Sequence, residues 1–152
     1  MPDLHTISVT VILVNKEGRF LIVKRSDNLE RWPGKWAVPG GKLEKKGYIN
    51  RKFDTKGDIW YDVIEMSIRR EVKEEVGLDL GDVEYVTSLA FMKDDGNPHL
   101  IISLYSNDHS GKIKLNDELT DFRWVTLKEA EKYDLIEGIY EELKIVNKKL
   151  KK

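Results

Sequence analysis

Residues 62–78, DVIEMSIRREVKEEVGL, decide how the rest of the chain is read. Ile64, Ile68, Val72 and Val76 recur every fourth residue, Asp62 stands at an N-cap position, and Gly77 follows as a stop. The spacing predicts an amphipathic helix over 62–76. An ideal helix turns about 100° per residue. With Glu71 at zero, the apolar residues fall at roughly 20°, 60°, 100° and 140°, and form a core-facing stripe. Glu74 then falls at roughly 300° and Glu75 at roughly 40°. Glu75 therefore lies between Ile64 and Ile68, at the edge of the core. Arg69 and Lys73 lie opposite, where solvent is expected.

Three carboxylates in one sector, turned away from solvent, repel one another and lose hydration. A helix built only for stability would place them elsewhere. A divalent cation resolves the conflict, because Mg2+ and Mn2+ prefer carboxylate oxygens and spacings of three and four residues let side chains converge. Arg70, four residues before Glu74, can pair with it and fix its orientation. Glutamate-rich helices are more often plain charged surfaces, and the position of Glu75 argues against that here.

Upstream, Trp36-Ala37-Val38-Pro39-Gly40-Gly41-Lys42-Leu43-Glu44 places two glycines directly after a short strand. Such a loop can offer a bare carbonyl to a metal or amides to a phosphate. Residues 5–14 (HTISVTVILV) are rich in β-branched side chains and read as a strand buried on both faces. A turn at Lys16-Glu17-Gly18 leads to a partner strand over 19–24. Residues 45–61 mix glycines and charges and read as a surface excursion. Further strands are expected over 84–92, 99–106, 112–115 and 122–126, and helices over 127–133 and 136–149. Strands, one helix, more strands and then helices point to an α/β or α+β sandwich.

The chain has 152 residues, which suits one domain over 1–152. With 26 basic and 27 acidic residues its net charge is −1, so no broad basic field marks a nucleic-acid binder. The absence of cysteine excludes disulfides, thiolate metal sites and a cysteine nucleophile. The apolar N-terminal run is short, interrupted by polar residues and lacks a cleavage signal, so a cytoplasmic protein without membrane contact is expected.

Arg70-Glu71-Val72-Lys73-Glu74-Glu75-Val76-Gly77-Leu78, entered through Pro39-Gly40-Gly41-Lys42-Leu43-Glu44, resembles the signature of the Nudix hydrolase family. That signature is a glycine, five residues, a glutamate, seven residues, then Arg-Glu-apolar-any-Glu-Glu-any-Gly-apolar. The second half matches at every fixed position. The first half departs from it. Counted from Gly41, the first glutamate falls on Gly47 and the Arg-Glu pair on Thr55-Lys56, so about fifteen extra residues lie inside the box. Counted back from the helix, Asp62 stands where relatives have that glutamate. Residues 45–61 are therefore read as an insertion that leaves the helix whole.

The resemblance implies an α/β/α sandwich with a mixed central sheet, and hydrolysis of a pyrophosphate bond in a nucleotide with Mg2+, for which Mn2+ can substitute. It implies metal binding by Glu71, Glu74, Glu75 and the Gly41 carbonyl. Catalytic roles fall to Glu71, Glu74, Arg70 and Glu118, the last being an acid in the loop before a late strand. Basic Arg25 and Lys42 are candidate phosphate contacts. Among Trp32, Trp36, Phe91 and Trp124, Phe91 and Trp124 read better as core, and Trp36 is the chosen base contact. A small nucleotide is the expected partner, and a homodimer is common among relatives. The favoured substrate is a nucleoside triphosphate. ADP-ribose or a nucleoside diphosphate sugar is the alternative, followed by a dinucleoside polyphosphate and by a non-catalytic nucleotide-binding regulator.

Overall fold

A computed structural model describes residues 3–151. Strand β1 (Thr6–Leu13) is the centre of the molecule, and its alternation explains the layers. Val9, Val11 and Leu13 point to one face, and Ile12 points to the other together with the following Val14. Both faces are buried, as the near-continuous apolar run requires.

β1 pairs in parallel with β7 (Pro98–Ser106) and antiparallel with β4 (Gly40–Lys42). β6 (Glu84–Met92) closes the far edge of this mixed sheet, giving the order β4-β1-β7-β6. A second sheet is antiparallel: β3 (Trp36–Ala37), β2 (Phe20–Arg25) and β9 (Leu119–Val125), with β2 in the middle. β5 (Asp79–Leu80) and β8 (His109–Ser110) form a small two-stranded pair.

Helix α1 (Val63–Val76) lays Ile68, Val72 and Val76 on the Val9, Val11 and Leu13 face. On the opposite face, α2 (Leu127–Ala130) and α3 (Ile139–Leu150) contribute Ala130, Ile139, Leu143 and Val146 to a second cluster with Ile12, Phe20 and Ile22. The result is the helix–sheet–helix sandwich with a mixed central sheet that the sequence implies. Ile68 is fully buried between helix and sheet. Ile68→Ala is expected to cost about 2–5 kcal/mol of unfolding free energy, measured by chemical denaturation.

Several local expectations are corrected. Asp62 occupies the N-cap position of α1, but its side chain makes no capping bond, and its backbone is left-handed at φ 58°. Residues 112–115 form no strand. They run past the end of α1, where Lys114 N–H donates to Val76 O and Asn116 N–H to Glu75 O. The last strand starts at Leu119 rather than Phe122. The last helix starts at Ile139, behind Gly138 at φ 95°. Gly77 ends α1 as expected, left-handed at φ 75°, with its N–H donating to the Val72 and Lys73 carbonyls. No helix among the described residues is long and apolar enough to cross a membrane.

Candidate active site

The double glycine and the glutamate helix meet. Gly40 N–H donates to Glu75 Oε1 at 2.9 Å. Gly41 sits against Glu71 so closely that an added Cβ would lie 2.5–2.7 Å from the three atoms of its carboxylate. Gly40 and Gly41 belong to β4, which is paired to β1, so the contact is held by the central sheet. Glycine is poor in strands, and the close approach explains its presence here.

The three acids are graded in exposure. Glu75 is only 7% exposed. Burial pushes its carboxyl up to about 8, with the negative charges of Glu71 and Glu118 adding to the shift, while the Gly40 amide and Arg25 oppose it. Glu71, with a side chain 16% exposed, is also raised, first by burial and then by repulsion from Glu74 and Glu118, against the pull of Arg70. Glu74 is 60% exposed, so the helical projection that turned all three acids inward is corrected for this one. Arg70 reaches both neighbours, with Nη2 at 3.6 Å from Glu71 Oε1 and Nε at 3.9 Å from Glu74 Oε1. These long, half-exposed pairs orient the acids more than they stabilise the fold.

Glu118 is an exposed loop acid, brought to the cluster because its own carbonyl accepts the Ser26 N–H at the end of β2. Arg25 lies between Glu118 and Glu75, and burial lowers its pKa against their attraction. Its Nε and Nη2 both donate to the Arg31 carbonyl, at 3.1 and 2.9 Å, so its fork holds the 26–35 loop. Lys42 is exposed at the end of β4, opposite Ser8 of β1. Trp36 lies apart from the acids: its ring packs edge-on against Tyr133 at 4.9 Å, beside the second core cluster.

No three His, Asp or Glu side chains among the described residues already converge as a cage for a metal ion. The acids are neighbours without a shared coordination point. Their chemistry nonetheless fits a hard divalent cation: carboxylate oxygens only, two of them held at raised pKa by burial and mutual repulsion, beside a backbone with no Cβ in the way.

A cleft opens beside this cluster, on the α3 side of the mixed sheet. Gly40, Gly41 and Arg25 form one end, and Trp32, His99 and Glu142 line its depth. Gly41, Arg25 and Trp32 were legible as candidates in the sequence, whereas His99 and Glu142 were not. The available signal was the pair Ser8 and Thr10 on the face of β1 that continues as Ile12 and Val14, polar positions in a strand otherwise buried. Phe91, expected in the core, belongs to neither apolar cluster and packs edge-on against Trp32 at 6.2 Å. Trp124 packs against the α1-side cluster, as expected.

Comparison with known proteins matches residues 4–144 to the NUDIX domain. The nucleoside triphosphatase NudI of Salmonella agona is 32% identical over 136 residues, covering 81% of this chain and 84% of that protein. Its counterpart in Escherichia coli K12 is 28% identical over 134 residues, with the same coverage. Among solved structures, the MutT protein of Methanosarcina mazei Go1 superposes with a TM-score of 0.74 at 24% identity, covering 100% of this chain and 99% of that one. The Escherichia coli ORF135 protein gives 0.71 at 22% identity, covering 95% and 89%.

Proposed function

The chain belongs to the NUDIX family and is a Nudix hydrolase, and from that premise we propose that it is a Mg2+-dependent nucleoside triphosphate pyrophosphohydrolase, releasing nucleoside monophosphate and pyrophosphate. The observation that carries this reading is the contact of Gly40 and Gly41 with Glu75 and Glu71 at the mouth of a cleft. The relatives named as nucleoside triphosphatases support the substrate class.

In this reading Glu71, Glu74 and Glu75 hold the cation, with the Gly41 carbonyl beside them. Bound Mg2+ supplies positive charge that offsets phosphate repulsion and makes water more acidic. Glu71 or Glu118, whose charges act on each other in this cluster, would accept the attacking water's proton. Arg70 keeps Glu71 and Glu74 side by side. Arg25 keeps the loop carrying Trp32 in place, and Lys42 lies in reach of an extended phosphate tail. A near-neutral protein can thus receive a polyanion through its metal. Mn2+ is expected to replace Mg2+ in this role.

The test is a panel of nucleoside triphosphates, ADP-ribose and dinucleoside polyphosphates with Mg2+, scoring phosphate, pyrophosphate and nucleoside monophosphate separately. Monophosphate and pyrophosphate should appear in equal amounts from triphosphates. Chelation should abolish turnover, and added Mg2+ or Mn2+ should restore it. Release of single phosphates, or full activity in chelator, would contradict the proposal.

A further inference from the structure

The depth of the cleft holds polar groups that the proposed hydrolysis does not use. β1 turns Ser8 and Thr10 towards it, and β7 turns His99 and Ser103 the same way, since all four lie on the sheet face opposite Val9 and Leu104. Ser8 Oγ and His99 Nε2 satisfy each other at 2.7 Å. The Thr10 and Ser103 hydroxyls are buried and complete no hydrogen bond. Facing them from the first turn of α3 is Glu142, 7% exposed, with no cation paired to it and a carboxyl raised by burial. Ser103 is near enough to draw that pKa down somewhat, but not aligned for a bond of good geometry. A buried carboxyl left without a strong partner is costly unless something else occupies the space in front of it.

The opposite side of the cleft is also held at a cost. Trp32 has φ 48°, a left-handed conformation unusual for a bulky residue. The structure around it enforces that conformation. Arg25 grips the preceding carbonyl through two donors, and the Arg31 guanidinium lies 4.3 Å from the Trp32 ring centroid. The indole is thereby fixed at the cleft, with Phe91 at its edge.

We infer that Glu142 is a specificity-determining residue that selects the nucleotide's base, accepting a hydrogen bond from an exocyclic amino group while the base stacks against Trp32. This inference rests on the nucleotide reading of the site. Its logic is in the carboxyl itself. Ionised or neutral, Glu142 can accept from an amino group; only the neutral form can donate to an oxo group. Bases with an amino group at the edge are therefore favoured over their oxo counterparts. A carboxylate that accepts from a cytosine amino group is a known mode of base reading. The free hydroxyl of Thr10, which lines the cleft, can donate or accept beside it, and stacking on Trp32 is tolerant of base identity.

The experiment compares kcat/KM for CTP against UTP and for ATP against ITP, each pair exchanging an amino for an oxo group at one ring position. The native protein should favour the amino member of its better-used pair by roughly tenfold. Glu142→Gln, whose amide serves either edge, should bring that ratio within about threefold without lowering the melting temperature. Trp32→Ala should raise KM for all four substrates alike. A native ratio near one, a ratio that survives Glu142→Gln, or a collapse in that variant's melting temperature would overturn the inference. Binding of CMP against UMP and of AMP against IMP, followed by tryptophan fluorescence, separates it from the hydrolysis proposal. If no triphosphate is cleaved, a roughly tenfold preference for the amino member of the tighter-binding pair keeps the base reading and removes only the reaction. Equal binding within both pairs removes the base reading itself.

Discussion

Glu75→Gln is expected to yield a protein that is nearly inactive and, without divalent cations, more stable than the native chain at pH 8. The activity arm follows from the proposed metal site. Glutamine keeps the size of the side chain and can still accept from Gly40 N–H, but it brings no charge to a cation. Turnover with Mg2+ should fall by roughly a hundredfold or more. The stability arm follows from burial. The Glu75 carboxyl rises from an ordinary value of 4.5 to about 8 in the folded chain. A folded pKa above the unfolded one gives stability that is fully present below pH 4.5 and lost as pH rises towards 8. The loss is several kcal/mol, with about 5 kcal/mol as an upper bound. Glutamine does not titrate, so the variant lacks this loss. Glu71 and Glu142 are raised as well and remain in both proteins, so the difference between variant and native isolates Glu75. Urea denaturation in chelator at pH 5 and pH 8 measures it. A native advantage that grows towards pH 8 would contradict the account.

Gly41→Ala should separate the fold from the chemistry. The added methyl would overlap the Glu71 carboxylate at 2.5–2.7 Å, and that carboxylate is the far end of a flexible side chain. It can swing away at small cost to the fold, because Gly41 does not need a positive φ. The acid would then leave its place beside Glu75. A displacement of about 1 Å at a reacting group can cost on the order of a hundredfold in rate. The expected outcome is a melting temperature close to native, with kcat lowered by that order. Gly57→Ala is the control, since an added Cβ there meets only Thr55 Oγ1 at 3.7 Å. Equal activity of both variants would show that the glycine–glutamate contact does not matter to the reaction.

The parts of the fold legible in the sequence are those set by periodicity. The four-residue repeat from Ile64 to Val76 specified α1 and its buried stripe, and β1 declared itself by a run apolar on both faces. Elements set by pairing with distant residues were harder to read. Gly40–Lys42 is a strand only because β1 lies beside it, and two glycines give no local sign of that. Residues 112–115 look like a strand because Ile113 and Leu115 alternate, yet the Lys114 and Asn116 amides donate to carbonyls at the end of α1 instead.

The candidate site divides in the same way. Placement of Glu75 at the core edge followed from helical geometry alone, and the structure buries it. Glu74, about 60° away on the other side of Glu71, turns to solvent. Arg25 reads as a free cation in sequence, but the fold commits it to the Arg31 carbonyl. The cleft's polar floor joins Ser8 to His99 across 91 residues of chain, a distance over which no periodicity speaks.

The most direct measurement counts protons released when Mn2+ binds, by calorimetry at pH 7 in buffers of different ionisation enthalpy. A carboxyl with pKa about 8 is mostly protonated at that pH and must give up its proton to become a ligand. The native protein is predicted to release close to one proton per bound ion more than Glu75→Gln, which should also bind more weakly. Binding without proton release, or the same release from both proteins, would contradict a buried Glu75 as the heart of the metal site.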